Sequence, residues 1–135
     1  MLDEFVSFSE SILFNLSKQS WKRGNENFYI EKIPFSFSSG NEYASFCEKL
    51  ITQFAEFNSL DINVLECGAG NGIFAKKLIQ KLNQHHSNCH YTLTEYSQKL
   101  IESYSDWIEN YPNANAHFLD IMNPTNMKQF NVAIL

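Results

Sequence analysis

Apolar residues along the chain follow two periods, one typical of amphipathic helices and one typical of strands. Spacings of three and four residues predict helices over 2–16, 39–55, 74–82 and 97–111. Short apolar or β-favouring runs predict strands over 62–66, 90–95, 116–119 and 130–135. Alternating strands and helices form βαβ units, whose right-handed crossovers make the sheet parallel. The sequence therefore predicts an α/β, Rossmann-like, doubly wound fold.

The region before the first strand contains two of these helices. The first is expected to dock through an apolar stripe, and residues 18–40 are expected to form a loop with short extended pieces. Ser39 and Glu42 have the spacing of a capping box at the start of the second helix. One face of that helix should be buried, and its apolar positions are Tyr43, Phe46, Cys47, Leu50, Ile51, Phe54 and Ala55.

Composition indicates a folded, acidic protein. Of the 135 residues 44% are hydrophobic, including 12 Phe and 6 Tyr, which is enough to fill a core. The net charge is -5, and the ten basic residues are dispersed, which argues against nucleic-acid binding. No apolar run reaches the ~20 residues of a membrane span, and the acidic start argues against a secretory signal. The three cysteines are odd in number, which argues against a disulfide framework and predicts a cytoplasmic location.

The segment most informative about chemistry is Glu66-Cys67-Gly68-Ala69-Gly70-Asn71-Gly72, between the first predicted strand and the next helix. Glycines there permit a tight turn and let backbone N–H groups approach a ligand at the helix N-terminus. Glu95 ends the following strand, 23 positions after Gly72, where a carboxylate can bind ribose hydroxyls. The pattern predicts a nucleotide-binding loop.

The charges of the loop bear on which nucleotide it binds. A dinucleotide carries an anionic pyrophosphate, whereas S-adenosylmethionine carries a sulfonium, an ammonium and one carboxylate. Glu66 precedes the glycines, and residues 66–75 contain no Lys or Arg. Ile73 stands where the dinucleotide fingerprint has Gly or Ala. Both features favour S-adenosylmethionine.

The segment Val64-Leu65-Glu66-Cys67-Gly68-Ala69-Gly70-Asn71-Gly72 resembles the first motif of class I S-adenosylmethionine-dependent methyltransferases. Thr94-Glu95 resembles the second motif, and Leu119-Asp120-Ile121 the third. The resemblance implies that Glu66 and the glycine loop surround the methionine part, that Glu95 holds the ribose hydroxyls, and that Asp120 and Ile121 contact adenine. The cofactor-binding residues expected on this basis are Glu66, Cys67, Gly68, Ala69, Gly70, Gly72, Glu95, Tyr96, Asp120 and Ile121.

A narrower similarity is to the methyltransferases that assist respiratory complex I assembly and to their bacterial relatives, which modify protein arginine. It is carried by Ser38-Ser39, by the glycine loop and by the run from Tyr91 to Leu100, and it implies a protein substrate. The Gly-Asp-Phe of that group is replaced by Phe35-Ser36-Phe37.

The predicted elements divide the chain into an N-terminal helix and aromatic loop segment, 1–41, and the first half of a methyltransferase domain, 42–135. The class I sheet has about seven strands, so we expect the domain to be truncated in its fourth strand. An open sheet edge there predicts a homo-oligomer that covers it.

Two other functions fit the same loop. An NAD(P)-binding oxidoreductase domain also places glycines after its first strand, and a non-catalytic binding or assembly module could retain the fold. No general base can be named. His85, His86, Cys89 and His90 lack the spacing of paired zinc ligands, so no metal is expected.

Overall fold

The computed structural model describes residues 7, 10–22, 40–120 and 129–135. The elements in chain order are α1 (Ile12–Lys22), α2 (Asn41–Asn58), β1 (Ile62–Cys67), α3 (Ile73–His85), β2 (Cys89–Glu95), α4 (Gln98–Ser103), α5 (Ser105–Ile108), β3 (Ala114–Phe118) and β4 (Val132–Ile134). Within these ranges the four strands form a parallel sheet in the order β3-β2-β1-β4, with helices before and between the strands. The α/β, Rossmann-like fold predicted from the sequence is confirmed.

The core lies on the face of the sheet that packs against α2, α3 and α4. Parallel pairing aligns Val64 of β1 with Tyr91 of β2 on one side and Val132 of β4 on the other. The helices bury Ile51, Leu78 and other apolar side chains against this face. Apolar burial of this kind stabilises by ~25 cal/mol per Å² and fixes the ends of β1 and β2 side by side.

The first helix differs from its prediction. It begins at Ile12, where Ser11 Oγ accepts the Phe14 N–H at 3.1 Å, and continues through Lys22. The predicted helix ended at Leu16, so the loop expected from residue 18 is wrong as far as Lys22. Most of residues 2–9 and all of 23–39 lie outside the described residues. Ile12 and Leu16 are more than half exposed, so these two members of the predicted stripe are not docked.

The second helix is present, but two details of its prediction are wrong. Gly40 occupies the N-cap, so a capping box does not start the helix; Ser39 lies outside the described residues. Ile51 and Ala55 are buried as expected. Phe46 and Leu50 are about half exposed, because the buried arc of the helix is centred on small and β-branched side chains that fit against α3.

Other boundaries shift by a few residues. The helix predicted over 97–111 is divided at Tyr104 into α4 and α5. Strand β3 is Ala114–Phe118 rather than 116–119, and β4 is limited to Val132–Ile134. Among the described helices none combines the length and the apolarity needed to cross a membrane.

Candidate functional site

A loop of three left-handed glycines joins β1 to α3. Gly68, Gly70 and Gly72 have φ values of 73°, 58° and 70°, which other residues adopt only at a cost. The N–H groups of Gly68 and Ala69 both donate to the Thr94 carbonyl, at 2.9 and 3.0 Å. The loop is therefore bound to the end of β2, and Gly72 forms the N-cap of α3.

Glu95 holds the same loop with its side chain. Its carboxylate is 5% exposed, and Oε2 accepts the Gly70 N–H at 2.9 Å. Oε1 accepts the N–H groups of Tyr96 and Ser97, at 2.7 and 3.2 Å. Three hydrogen bonds from backbone N–H groups compensate the burial of this charge. The structure thus places Glu95 beside the glycine loop.

Aromatic side chains from the helices after β2 support the other side of the loop. The buried Tyr104 donates its hydroxyl to the Gly70 carbonyl at 2.6 Å. A Cβ at Gly72 would lie 3.0 Å from ring atoms of both Tyr104 and Trp107. Position 72 therefore requires glycine for two reasons, the positive φ and the close approach of these rings.

Glu66 is a second buried carboxyl group near the loop, 6% exposed at the end of β1. Tyr91 donates its hydroxyl to Glu66 Oε2 at 2.7 Å. The pKa of Glu66 is raised to about 7, mainly by burial and also by the charge of Glu95, while the hydrogen bond from Tyr91 lowers it. The group therefore changes its charge near neutral pH.

The third motif lies at the adjacent end of β3. The Asp120 side chain is 23% exposed, and its Oδ2 is 3.8 Å from Lys18 Nζ of α1. The same ammonium lies 5.2 Å from the centroid of the Tyr96 ring, which packs against Phe118 with centroids 5.5 Å apart. Asp120 and Tyr96 are thus brought together at the carboxyl ends of the strands. Ile121 lies outside the described residues.

The other chemistry-bearing residues are dispersed. Among the described residues no group of three or more His, Cys, Asp or Glu side chains could hold a metal ion. His86 Nε2 is instead 2.7 Å from Thr52 Oγ1, between α3 and α2. Cys89 is buried at the start of β2, where burial raises its thiol pKa to about 11. Cys67 is half-buried at the end of β1.

The roles of Tyr91, Tyr104 and Lys18 are not evident from the sequence. Tyr91 and Glu95 are four residues apart on β2, so their side chains share one face of the sheet. Only the pairing of β2 with β1 shows that the Tyr91 hydroxyl reaches Glu66. Tyr104 has the helical spacing of an ordinary core residue. Lys18 gives no signal, because its contacts are made across the fold.

No protein-family model and no curated protein sequence matches the chain. Solved structures are similar in fold. The "DszA carbon methyltransferase" matches with a TM-score of 0.55 and 19% identity, over 66% of this chain and 24% of that protein. The "citrinin polyketide synthase CMeT domain" matches with a TM-score of 0.54 and 23% identity, over 62% of this chain and 23% of that one.

A third similar structure is coclaurine N-methyltransferase bound to N-methylheliamine and SAH. Its TM-score is 0.51 and its identity 19%, over 78% of this chain and 29% of that protein. The chain spans about a quarter of the length of these methyltransferases. The strand order, the glycine loop and these similarities together show that the chain has the Rossmann-like fold of class I S-adenosylmethionine-dependent methyltransferases.

Proposed function

We propose that this chain binds S-adenosylmethionine and forms the cofactor-binding part of a methyltransferase. The observation that supports this most is the joining of a three-glycine loop to the buried carboxylate of Glu95, through the Gly70 N–H. A side chain at Gly68 would extend into open space, with no heavy atom within 4 Å, so the glycine leaves room for a ligand beside the loop backbone.

The electrostatics of the loop favour a cationic ligand. Glu95 accepts a hydrogen bond from the loop at Gly70, and Glu66, at the end of β1, is close enough to Glu95 for the two charges to interact. Residues 66–75 contribute no Lys or Arg. A pyrophosphate would need positive groups here, whereas a sulfonium and an ammonium are attracted by carboxylates. This charge distribution disfavours the NAD(P)-binding alternative.

The residues present fit the cofactor, which when bound supplies a methyl group on a positively charged sulfur. Backbone N–H groups occupy three of the lone-pair positions of the Glu95 carboxylate, which has about four. One position on Oε2 can therefore accept a ribose hydroxyl while the loop stays bound. Asp120, with Ile121, would contact the adenine, and Tyr96 would line that end of the site. The chain's contribution is to orient the cofactor, since no general base is assigned.

The acceptor that we propose is a protein side chain. This rests on the similarity of the segments around Ser38, Gly68 and Tyr91 to the protein-arginine methyltransferases of complex I assembly. Incubation with radiolabelled S-adenosylmethionine and a protein extract, followed by electrophoresis, tests it. Labelled protein bands support the proposal, whereas cofactor binding without transfer to any acceptor favours a non-catalytic binding module.

Calorimetric titration tests the cofactor itself. We expect saturable binding of S-adenosylmethionine and S-adenosylhomocysteine, and no binding of NADH under the same conditions. The matched variant is Gly68→Ala, whose added Cβ fills the space beside the loop, so it should weaken both ligands together. Saturable binding of NADH with none of S-adenosylhomocysteine would overturn the proposal.

A further inference from the structure

Two polar side chains of the neighbouring strands β1 and β2 form a buried pair. Tyr91 is fully buried and Glu66 is 6% exposed, and the hydroxyl donates to the carboxyl Oε2 at 2.7 Å. Parallel pairing places Tyr91 opposite Val64, two residues before Glu66 on the same face. The ring thus spans two positions along the sheet to reach the carboxyl group at the end of β1.

In the described part of the chain, only one carboxyl oxygen of Glu66, Oε2, accepts a hydrogen bond. Among the described residues Tyr91 is the hydrogen-bond donor to this carboxyl group, and no Lys, Arg or His forms an ion pair with it. A buried carboxylate with one donor is costly unless a cation comes to it. Such a group beside a ligand loop is therefore suited to accept a positively charged ligand group.

The neighbouring titratable groups are few. From β2, Tyr91 and Glu95 act on Glu66, and Cys89 lies two residues before Tyr91. From α2, Cys47 faces Tyr91. Burial, the charge of Glu66 and its hydrogen bond all raise the pKa of Tyr91, so the phenol keeps its proton and remains a donor.

We propose that Tyr91 is a positioning residue that holds Glu66 as the anionic acceptor for the α-ammonium group of the cofactor. This inference rests on the proposed function, and it assigns a role to a strand residue outside the three motifs. The ammonium binds the ionised carboxylate, so below neutral pH the carboxyl proton must leave to the solvent when the ligand binds. Removal of the Tyr91 hydroxyl takes away the one hydrogen bond that favours the ionised form, so the Glu66 pKa rises further.

The experiment measures the dissociation constant of S-adenosylhomocysteine between pH 6 and pH 8. The wild type should bind about tenfold more weakly at pH 6 than at pH 8, because one group with a pKa of about 7 must lose its proton. Tyr91→Phe should show a larger ratio and a midpoint at higher pH. Glu66→Gln should show no such dependence, because the amide does not titrate.

Two controls test whether the pH dependence is specific to the Tyr91–Glu66 pair. Tyr111→Phe removes a hydroxyl that accepts an exposed hydrogen bond from Gln80, and it should reproduce the wild-type profile. The ligand 5′-methylthioadenosine has the ribose and adenine but no amino-acid part, so its affinity should not follow the Glu66 profile, whatever Glu95 contributes. Each ratio is taken within one variant that circular dichroism shows to be folded at both pH values, so a lower stability of Tyr91→Phe does not alter it.

The outcomes separate the inference from the proposed function. If S-adenosylhomocysteine does not bind the wild type at all, the proposed function fails. If it binds with the same pH profile in the wild type and Tyr91→Phe, or if 5′-methylthioadenosine shows that profile too, the role of Tyr91 is overturned while cofactor binding stands.

Discussion

Replacement of Glu95 by Gln removes one contact of the glycine loop and leaves the others in place. If the amide nitrogen took the position of Oε1, it would face the N–H groups of Tyr96 and Ser97. The side chain should therefore keep its oxygen there and place the amide nitrogen against the Gly70 N–H. Two donors then face each other, and the Gly70 hydrogen bond to the carboxylate is lost.

A hydrogen bond to a charged group contributes about 1.5–3 kcal/mol. Part of this loss is offset at pH 8, because the charge of Glu95 also raises the pKa of Glu66 and its removal relieves a repulsion. We expect Glu95→Gln to lower the free energy of unfolding by about 1–2 kcal/mol and to weaken S-adenosylhomocysteine binding. Urea denaturation followed by circular dichroism measures the stability, with an unchanged m value.

The matched control is Glu102→Gln, the same change at an exposed position on α4. It should alter the free energy of unfolding by less than about 0.5 kcal/mol. If Glu95→Gln were as stable as the wild type, the carboxylate would not hold the loop, and the reasoning that links Glu95 to the site would be refuted.

Three further predictions concern the same region. Gly72→Ala should lower the free energy of unfolding measured by urea denaturation by about 2–4 kcal/mol, since both the left-handed φ and the rings 3.0 Å away oppose a Cβ. Gly68→Ala, whose Cβ enters open space, should lower it by about 1–2 kcal/mol, and equal losses would refute the packing argument. Because folding raises the pKa of Glu66 from 4.5 to about 7, the wild type should lose stability as the pH rises from about 5 through 7. Glu66→Gln lacks this titration, so its free energy of unfolding relative to that of the wild type should increase by about 2–3 kcal/mol between pH 5 and pH 8; parallel pH curves for the two proteins would contradict this. Iodoacetamide should modify Cys67 in the native protein well before Cys89, whose thiol is buried and keeps its proton; mass spectrometry showing the opposite order would contradict the burial of β2.

The sequence predicts the parts of the site that depend on local backbone conformation and on the position of a residue at the end of a strand. Three glycines in five residues after an apolar strand indicate left-handed turns, and the structure has them at Gly68, Gly70 and Gly72. The position of Glu95 near the loop can also be predicted, because this residue ends the second strand and the ends of neighbouring parallel strands meet at one edge of the sheet.

The parts that the sequence does not predict depend on contacts across the fold. Helical spacing continues through Tyr104, yet the helix divides there, where the tyrosine hydroxyl is bonded to Gly70. Periodicity predicts an apolar face on α2, but it cannot tell that Phe46 stays exposed while Ile51 is buried against α3. The pairing of Tyr91 with Glu66 requires the strand register.

Cofactor binding at the glycine loop is tested most directly by amide chemical-shift mapping with S-adenosylhomocysteine. We expect the largest changes at the glycine loop, residues 68–72, and at residues 95–97, where the loop and Glu95 meet. Binding that instead shifts the groove beside β3, around Ala114 and Ala116, would contradict the assignment of the glycine loop as the cofactor site. No shift at saturating ligand would contradict the proposal that the chain binds S-adenosylmethionine.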